Sequence, residues 1–113
     1  MQWLSPEKNY LHKEASANGD GETLKLFGRY SLACVYIKGG DTRTLTWQGS
    51  IDGVNFQDIE GTRVSSGLDA TTATAEELYR VDLTGLYYFK APLSSLTGTS
   101  PSLTATAILY GSV

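Results

Sequence analysis

Residues 42–59, T-R-T-L-T-W-Q-G-S-I-D-G-V-N-F-Q-D-I, constrain the fold more than any other stretch of this chain. Leu45, Trp47 and Ile51 fall on one parity of the first half, and Thr44, Thr46, Gln48 and Ser50 on the other. A period of two marks a half-buried strand, because successive side chains leave opposite faces. Asp52-Gly53 then offers the positive φ of a tight turn at little steric cost, and residues 54–59 read as the returning strand. Trp47 is the expected core anchor of this hairpin.

The same logic carries through the chain from Thr23 onward. Residues 24–27 and 31–38 are two strand-like runs separated by Gly28-Arg29. Residues 78–83 and 86–93 form a pair across Thr84-Gly85, and residues 103–110 close the series. Tyr79, Val81 and Leu83 share one face, as do Tyr87, Phe89, Ala91 and Leu93, so these are expected in the core or in cross-strand pairs. Residues 61–75 and 94–102 are rich in Ser, Thr and Gly and read as long loops. At 113 residues the chain is one domain's length, enough to bury roughly two-thirds of its unfolded surface. The expected fold is all-β: an antiparallel β-sandwich, jelly-roll-like, of about seven to eight strands.

Residues 1–22 follow a different pattern. Trp3, Leu4, Tyr10 and Leu11 are isolated among polar residues, and Asn18-Gly19-Asp20-Gly21 is a strong loop signal. The division is therefore an extended N-terminal arm, residues 1–22, and a sandwich domain, residues 23–113. The four apolar side chains are the candidate assembly contacts, reaching a neighbouring subunit. The competing expectation is that the arm covers an edge of its own sheet.

The residues of catalysis are sparse. His12 stands alone, in the arm, without a cysteine or second histidine to complete a zinc site. Cys34 is the single cysteine and sits in an apolar run, where it is expected to be a small buried hydrophobe. Gly39-Gly40 lacks the Lys-Ser/Thr of a phosphate loop, and Asp52-Gly53-Val54-Asn55 lacks the spaced ligands of a calcium loop. Scattered carboxylates fit turn chemistry better than a glycosidase pair. No enzyme, cofactor or metal is expected. A formal net charge of −3 with mixed signs disfavours nucleic acid and anionic membrane as partners. No apolar run approaches the roughly 20 residues of a membrane span, and the start of the chain lacks a signal-peptide core. The expectation is a soluble protein made in a cytoplasm.

Two motifs carry a resemblance to a known family. Gly49, Ser50, Asp52, Gly53, Asn55 and Phe56 form one; Tyr79, Val81, Asp82, Gly85, Leu86 and Tyr88 form the other. Their order, around a Ser/Thr/Ala-rich loop, resembles the small β-sandwich modules of tailed-bacteriophage structural proteins. There a G-S-x-D-G-x-N-W hairpin precedes a Y-x-V-D-x-x-G-L-x-Y-x-R hairpin. Phe56 replaces the usual Trp in what would be the same core role, and Lys90 stands where a basic residue is common. The resemblance covers residues 23–113 and leaves the arm unexplained.

It implies a virion structural protein made in the host bacterial cytoplasm, without catalytic residues. The expected role is an auxiliary protein decorating the capsid exterior, or a head or tail accessory. Partners would be the phage major capsid protein or another virion protein, and further copies of this chain, with a trimer favoured. A carbohydrate-binding module, with exposed aromatics stacking on host glycan, is the competing expectation.

Overall fold

A computed structural model describes residues 7–111, and among them every regular element is a strand. One layer is a six-stranded antiparallel sheet. Its order is β1 (Glu7–Ala15), β13 (Leu103–Tyr110), β3 (Leu32–Lys38), β10 (Leu78–Asp82), β7 (Gly61–Arg63) and β8 (Asp69–Ala70). Facing it are a four-stranded sheet, β2 (Leu24–Lys25), β11 (Tyr88–Lys90), β5 (Gln48–Ser50) and β6 (Gln57–Asp58), and a three-stranded sheet, β12 (Leu93–Thr97), β4 (Thr42–Thr46) and β9 (Thr72–Ala73). The expected antiparallel sandwich is the observed fold. Alternation fills its core: Ala33, Val35 and Ile37 of β3 and Leu103, Ala105, Ala107 and Leu109 of β13 all point inward and are buried.

The second layer is divided because its two longest strands bend together. β5 pairs β11 and β4 pairs β12, with the breaks at Trp47 on one strand and at Ala91-Pro92 on the other. Pro92 has no amide hydrogen to continue a ladder. At the bend Trp47 turns fully inward, its ring 5.5 Å from that of Tyr79 and 6.1 Å from that of Phe89. The core role of Trp47 and Tyr79 is thereby explained. Ile51 leaves their face: β5 ends at Ser50, and Ile51 is 72 % exposed.

Residues 7–22 depart furthest from expectation. β1 pairs along β13 and forms an edge of the large sheet. Between Tyr10 and His12 the register slips, so that Leu11 and His12 together oppose Ala105. This bulge turns both side chains inward, and both are buried. Leu11 is therefore a core residue, and Tyr10 lies half-buried on the sheet's outer face. Residues 16–22 then double back. The Glu22 amide donates to the Leu11 carbonyl, and Gly19 and Leu93 exchange two backbone hydrogen bonds. The described part of the arm is thus built into the domain, as the edge-covering alternative has it. Trp3 and Leu4 lie outside the described residues.

Other differences have local causes. The residue 61–75 stretch is not one loop, since it contributes β7, β8 and β9, and residues 94–102 contribute most of β12. Short Thr- and Ser-bearing strands with exposed outer faces leave little apolar pattern to read. With these pieces and the bent strands counted separately, the strands outnumber the expected seven to eight. Cys34 faces outward on β3 and is half-buried, because its inward neighbours are Ala33 and Val35. Phe56 is likewise half-buried, outside the core, with the Lys90 Nζ 4.2 Å from its ring centre.

Candidate functional site

The Asp52 motif closes on itself. The Asp52 carboxylate accepts hydrogen bonds from the amides of Val54 and Asn55, both at 2.8 Å, from the Asn55 side-chain amide and from the Ser50 hydroxyl. The Ser50 hydroxyl in turn accepts from the amides of Asp52 and Gly53. These donors, the Asn55 and Val54 amides foremost, hold the carboxyl far below the usual carboxylate range. The result is a rigid six-residue connection, residues 51–56, in place of a tight two-residue turn. Gly53 has φ +79°, and a Cβ there would lie 3.1 Å from the Tyr88 ring. At Gly49 a Cβ would meet Leu86 at 2.5 Å. Asp82 does the same work in the second motif, accepting from the Thr84 amide ahead of Gly85, whose φ is +83°. The motif residues therefore build loops, and their polar groups are spent internally.

What these loops expose is apolar. Ile51 and Val54, the latter 80 % exposed, stand out from the residue 51–56 connection. Beside it lies the turn Leu26-Phe27-Gly28-Arg29, closed by the Arg29 amide on the Leu26 carbonyl. Phe27 sits there at φ +55°, a left-handed conformation rare for a bulky residue, with 64 % of its surface exposed. Tyr87 joins the two loops: its carbonyl accepts from the Leu26 amide and its amide donates to the Ser50 carbonyl. At the residue 51–56 connection a depression of about 330 Å³ is lined by Ile51, Ile59, Leu86, Asn55 and Gln57, among others.

The second exposed surface is the outer face of the six-stranded sheet. Register places Tyr10, Thr106, Tyr36 and Leu78 in one row across β1, β13, β3 and β10. The next row holds Lys8, Ile108, Cys34 and Arg80. Tyr36 is 49 % exposed and Leu78 41 %, while Ile108 and Cys34 are half-covered by their neighbours. Tyr10 lies between two lysines, the Nζ of Lys8 at 5.5 Å and of Lys13 at 5.2 Å from its ring centre. Of the two candidate assembly contacts among the described residues, Tyr10 lies on an accessible surface and Leu11 is withdrawn into the core.

Two charged clusters are structural. Arg43 is buried, and its guanidinium donates to the carbonyls of Gly39, Gly40, Asp41 and Thr74, with Glu76 Oε1 at 3.6 Å. It clamps the β3–β4 turn. Arg43 shares the parity of Leu45 and Trp47, a signal that its charge masked. Arg63 borders a cavity of about 200 Å³ beside Tyr79, where its Nε donates to Glu77 Oε2 at 2.6 Å. Ser65 donates to the same carboxylate. Arg63 first, then Ser65, hold the Glu77 pKa below its ordinary value. No group of three or more His, Cys, Asp or Glu residues suited to a metal occurs among the described residues. No described helix is long and apolar enough to cross a membrane.

A family model, XepA, matches residues 6–107. The chain belongs to the XepA family. Among solved structures it is similar to the SPBc2 prophage-derived protein YomS, with a TM-score of 0.82, 20 % identity and 96 % of each chain covered. It is also similar to the PBSX exported protein XepA, with a TM-score of 0.74 and 17 % identity over 93 % of this chain and 39 % of that one. At these low identities the structural likeness establishes a common fold and nothing more. No curated protein matches. Membership in the XepA family agrees with the phage resemblance of the two motifs at that level.

Proposed function

We propose that this XepA-family protein is a non-enzymatic structural component of a phage particle, most simply an auxiliary protein on the capsid exterior held by contacts between copies. The observation that carries the reading is the outer face of the six-stranded sheet. Tyr36 and Leu78 stand exposed in adjacent strands above half-covered Ile108 and Cys34, a contiguous apolar surface of the kind that marks interaction sites. The prophage-derived origin of YomS supports the phage context. In this reading the protein is made in the host cytoplasm, resides in the virion and pairs with the capsid or another virion protein. A trimer is the favoured state, and Trp3 and Leu4 remain contacts for a neighbour. Electron microscopy of purified particles with antibody to this chain tests it. Label at regular positions on the particle is the expected result; unlabelled particles would refute it.

A second reading has one specific observation behind it. Phe27 and Tyr87 are both exposed, and Gly28, which follows Phe27, leaves room for the Tyr87 ring 3.2 Å from where a Cβ would be. Exposed aromatic rings of this kind offer faces on which a sugar ring stacks. Calorimetric titration with host cell-wall polysaccharide decides this reading, with Tyr87→Ala as control.

A further inference from the structure

The Asn18-Gly19-Asp20-Gly21 cluster does more than turn the chain. Asparagine converts to aspartate most readily before glycine, whose nitrogen reaches the preceding side-chain amide with no Cβ in the way. Three asparagines occur in the chain. Asn9 lies within β1 and is followed by Tyr10. Asn55 is followed by Phe56, and its side-chain amide is tied to the Asp52 carboxylate at 2.8 Å. Asn18 alone precedes a glycine, and both residues are exposed. The Gly19 nitrogen, which would attack, is nonetheless engaged. It donates to the Leu93 carbonyl at 2.9 Å, and the Leu93 amide donates back to the Gly19 carbonyl at 2.7 Å. Both backbone groups of Gly19 are thus fixed against the opposite layer of the sandwich.

We infer that Asn18 is a deamidation site guarded by the Gly19–Leu93 bridge, and that its conversion loosens the return of the arm. In the reaction the Gly19 nitrogen gives its proton to solvent and bonds to Asn18 Cγ. The Cγ–Nδ2 bond breaks, and the departing nitrogen takes a proton and leaves as ammonia. Water then opens the cyclic imide at either carbonyl, leaving aspartate or isoaspartate. While the bridge is closed, the Gly19 nitrogen holds its proton on the Leu93 carbonyl and is not free to turn. Reaction therefore waits for local opening. Isoaspartate carries the backbone through Cβ and lengthens it by one carbon, so Gly19 no longer meets Leu93 in the same register. The residues that follow lose an anchor. Among them Gly21 packs on the His12 ring, the Glu22 amide donates to the Leu11 carbonyl, and Asp20 pairs with Lys90 at 3.7 Å. The free chain suffices for this chemistry, with water as the one co-reactant.

Peptide mapping by mass spectrometry tests it, following aspartate and isoaspartate at position 18 in warm, mildly alkaline buffer. Conversion in the folded chain should run at least about tenfold slower than in the same chain unfolded in urea. The slowing should match the factor by which folding protects the Gly19 amide from hydrogen exchange, because one opening gates both. Aged chains enriched in isoaspartate should exchange the Leu93 and Glu22 amides faster and unfold at lower urea. Gly19→Ala obstructs the attack yet keeps the bridge: Gly19 is outside the left-handed region, and a Cβ there meets nothing within 4 Å. Aged alongside, it should stay unchanged in every readout. Asn18→Asp carries the new charge on a normal backbone and should keep the natural exchange at Leu93. Should Gly19→Ala fail to fold, the natural chain, folded against unfolded, decides. Conversion as fast in the folded chain as in urea overturns the guard. Isoaspartate that leaves Leu93 and Glu22 exchange untouched overturns the loosening. Conversion of Asn9 or Asn55 ahead of Asn18 in urea overturns the site.

Discussion

His12 donates its Nε2 hydrogen to the carbonyl of Ala91 across 2.6 Å, joining the β1 bulge to the opposite layer of the sandwich. The carbonyl can only accept, so the bond fixes which ring nitrogen carries the proton. Gly21 closes over the ring so tightly that a Cβ there would lie 2.5 Å from His12 Cε1. The single histidine is a structural pin. His12→Ala should cost about 1–3 kcal/mol, because it strands a buried carbonyl; urea denaturation measures it.

The same bond decides what truncation does. Deleting residues 1–17 removes β1, buried Leu11 and the His12 pin, so the domain should lose roughly 4 kcal/mol or more. Deleting residues 1–6 leaves all described pairing in place. Melting temperatures of the two truncations should differ sharply, and an unchanged value for the longer deletion would contradict the role of β1.

Trp47→Ala should cost roughly 3–5 kcal/mol through lost burial and a residual cavity. The Trp47 Nε1 is buried without a hydrogen-bond partner, and Gly61 packs against it so closely that a Cβ would lie 2.5 Å away. Trp47→Phe therefore sacrifices no hydrogen bond and should be markedly milder than Trp47→Ala. Gly61→Ala should itself destabilise by about 1–3 kcal/mol through overpacking. Equal losses for the Phe and Ala variants would show that the fit around the indole matters less than its geometry implies.

Arg43→Ala should cost about 3 kcal/mol, since it leaves up to four carbonyls without their charged donor. Arg43→Lys should recover little, as an ammonium cannot span carbonyls that the planar fork reaches together. Thermal unfolding of both variants checks this.

Acid should destabilise the fold. Asp52, Glu77 and Asp82 are all held below their ordinary pKa by donors present only in the folded chain. A carboxylate lowered on folding contributes stability that is complete above its unfolded value of about 4 and is lost as pH falls through the folded value. Stability should thus be flat near neutrality and decline below about pH 4. Asp52→Asn should flatten that decline.

Much of this fold was legible because alternation survives wherever one face is buried. The spans of β13 and β10 follow directly from their apolar parity, and Trp47 and Tyr79 are core for the same reason. Residues 7–15 were not legible as a strand because the bulge puts two successive residues, Leu11 and His12, on the inward side and so breaks the period. Ile51 and Phe56 were misplaced inward because their loop is set by Asp52 hydrogen bonds, with no sheet to impose a parity. Arg43 hid because its charge argues for solvent, while the carbonyls that satisfy it come from Thr74 and the Gly39–Asp41 turn. Asp52, Gly53, Asp82 and Gly85 were readable as turn chemistry, and that is what they do. The exposed rows on the outer sheet depend on register across four strands, which no single segment encodes.

The structural role is most directly tested by quantitative mass spectrometry of phage particles purified to a sharp density band. The account predicts this chain in the band at a constant ratio to the major capsid protein, retained through repeated banding. Its recovery only in the soluble lysate, with none in the banded particles, would contradict the account.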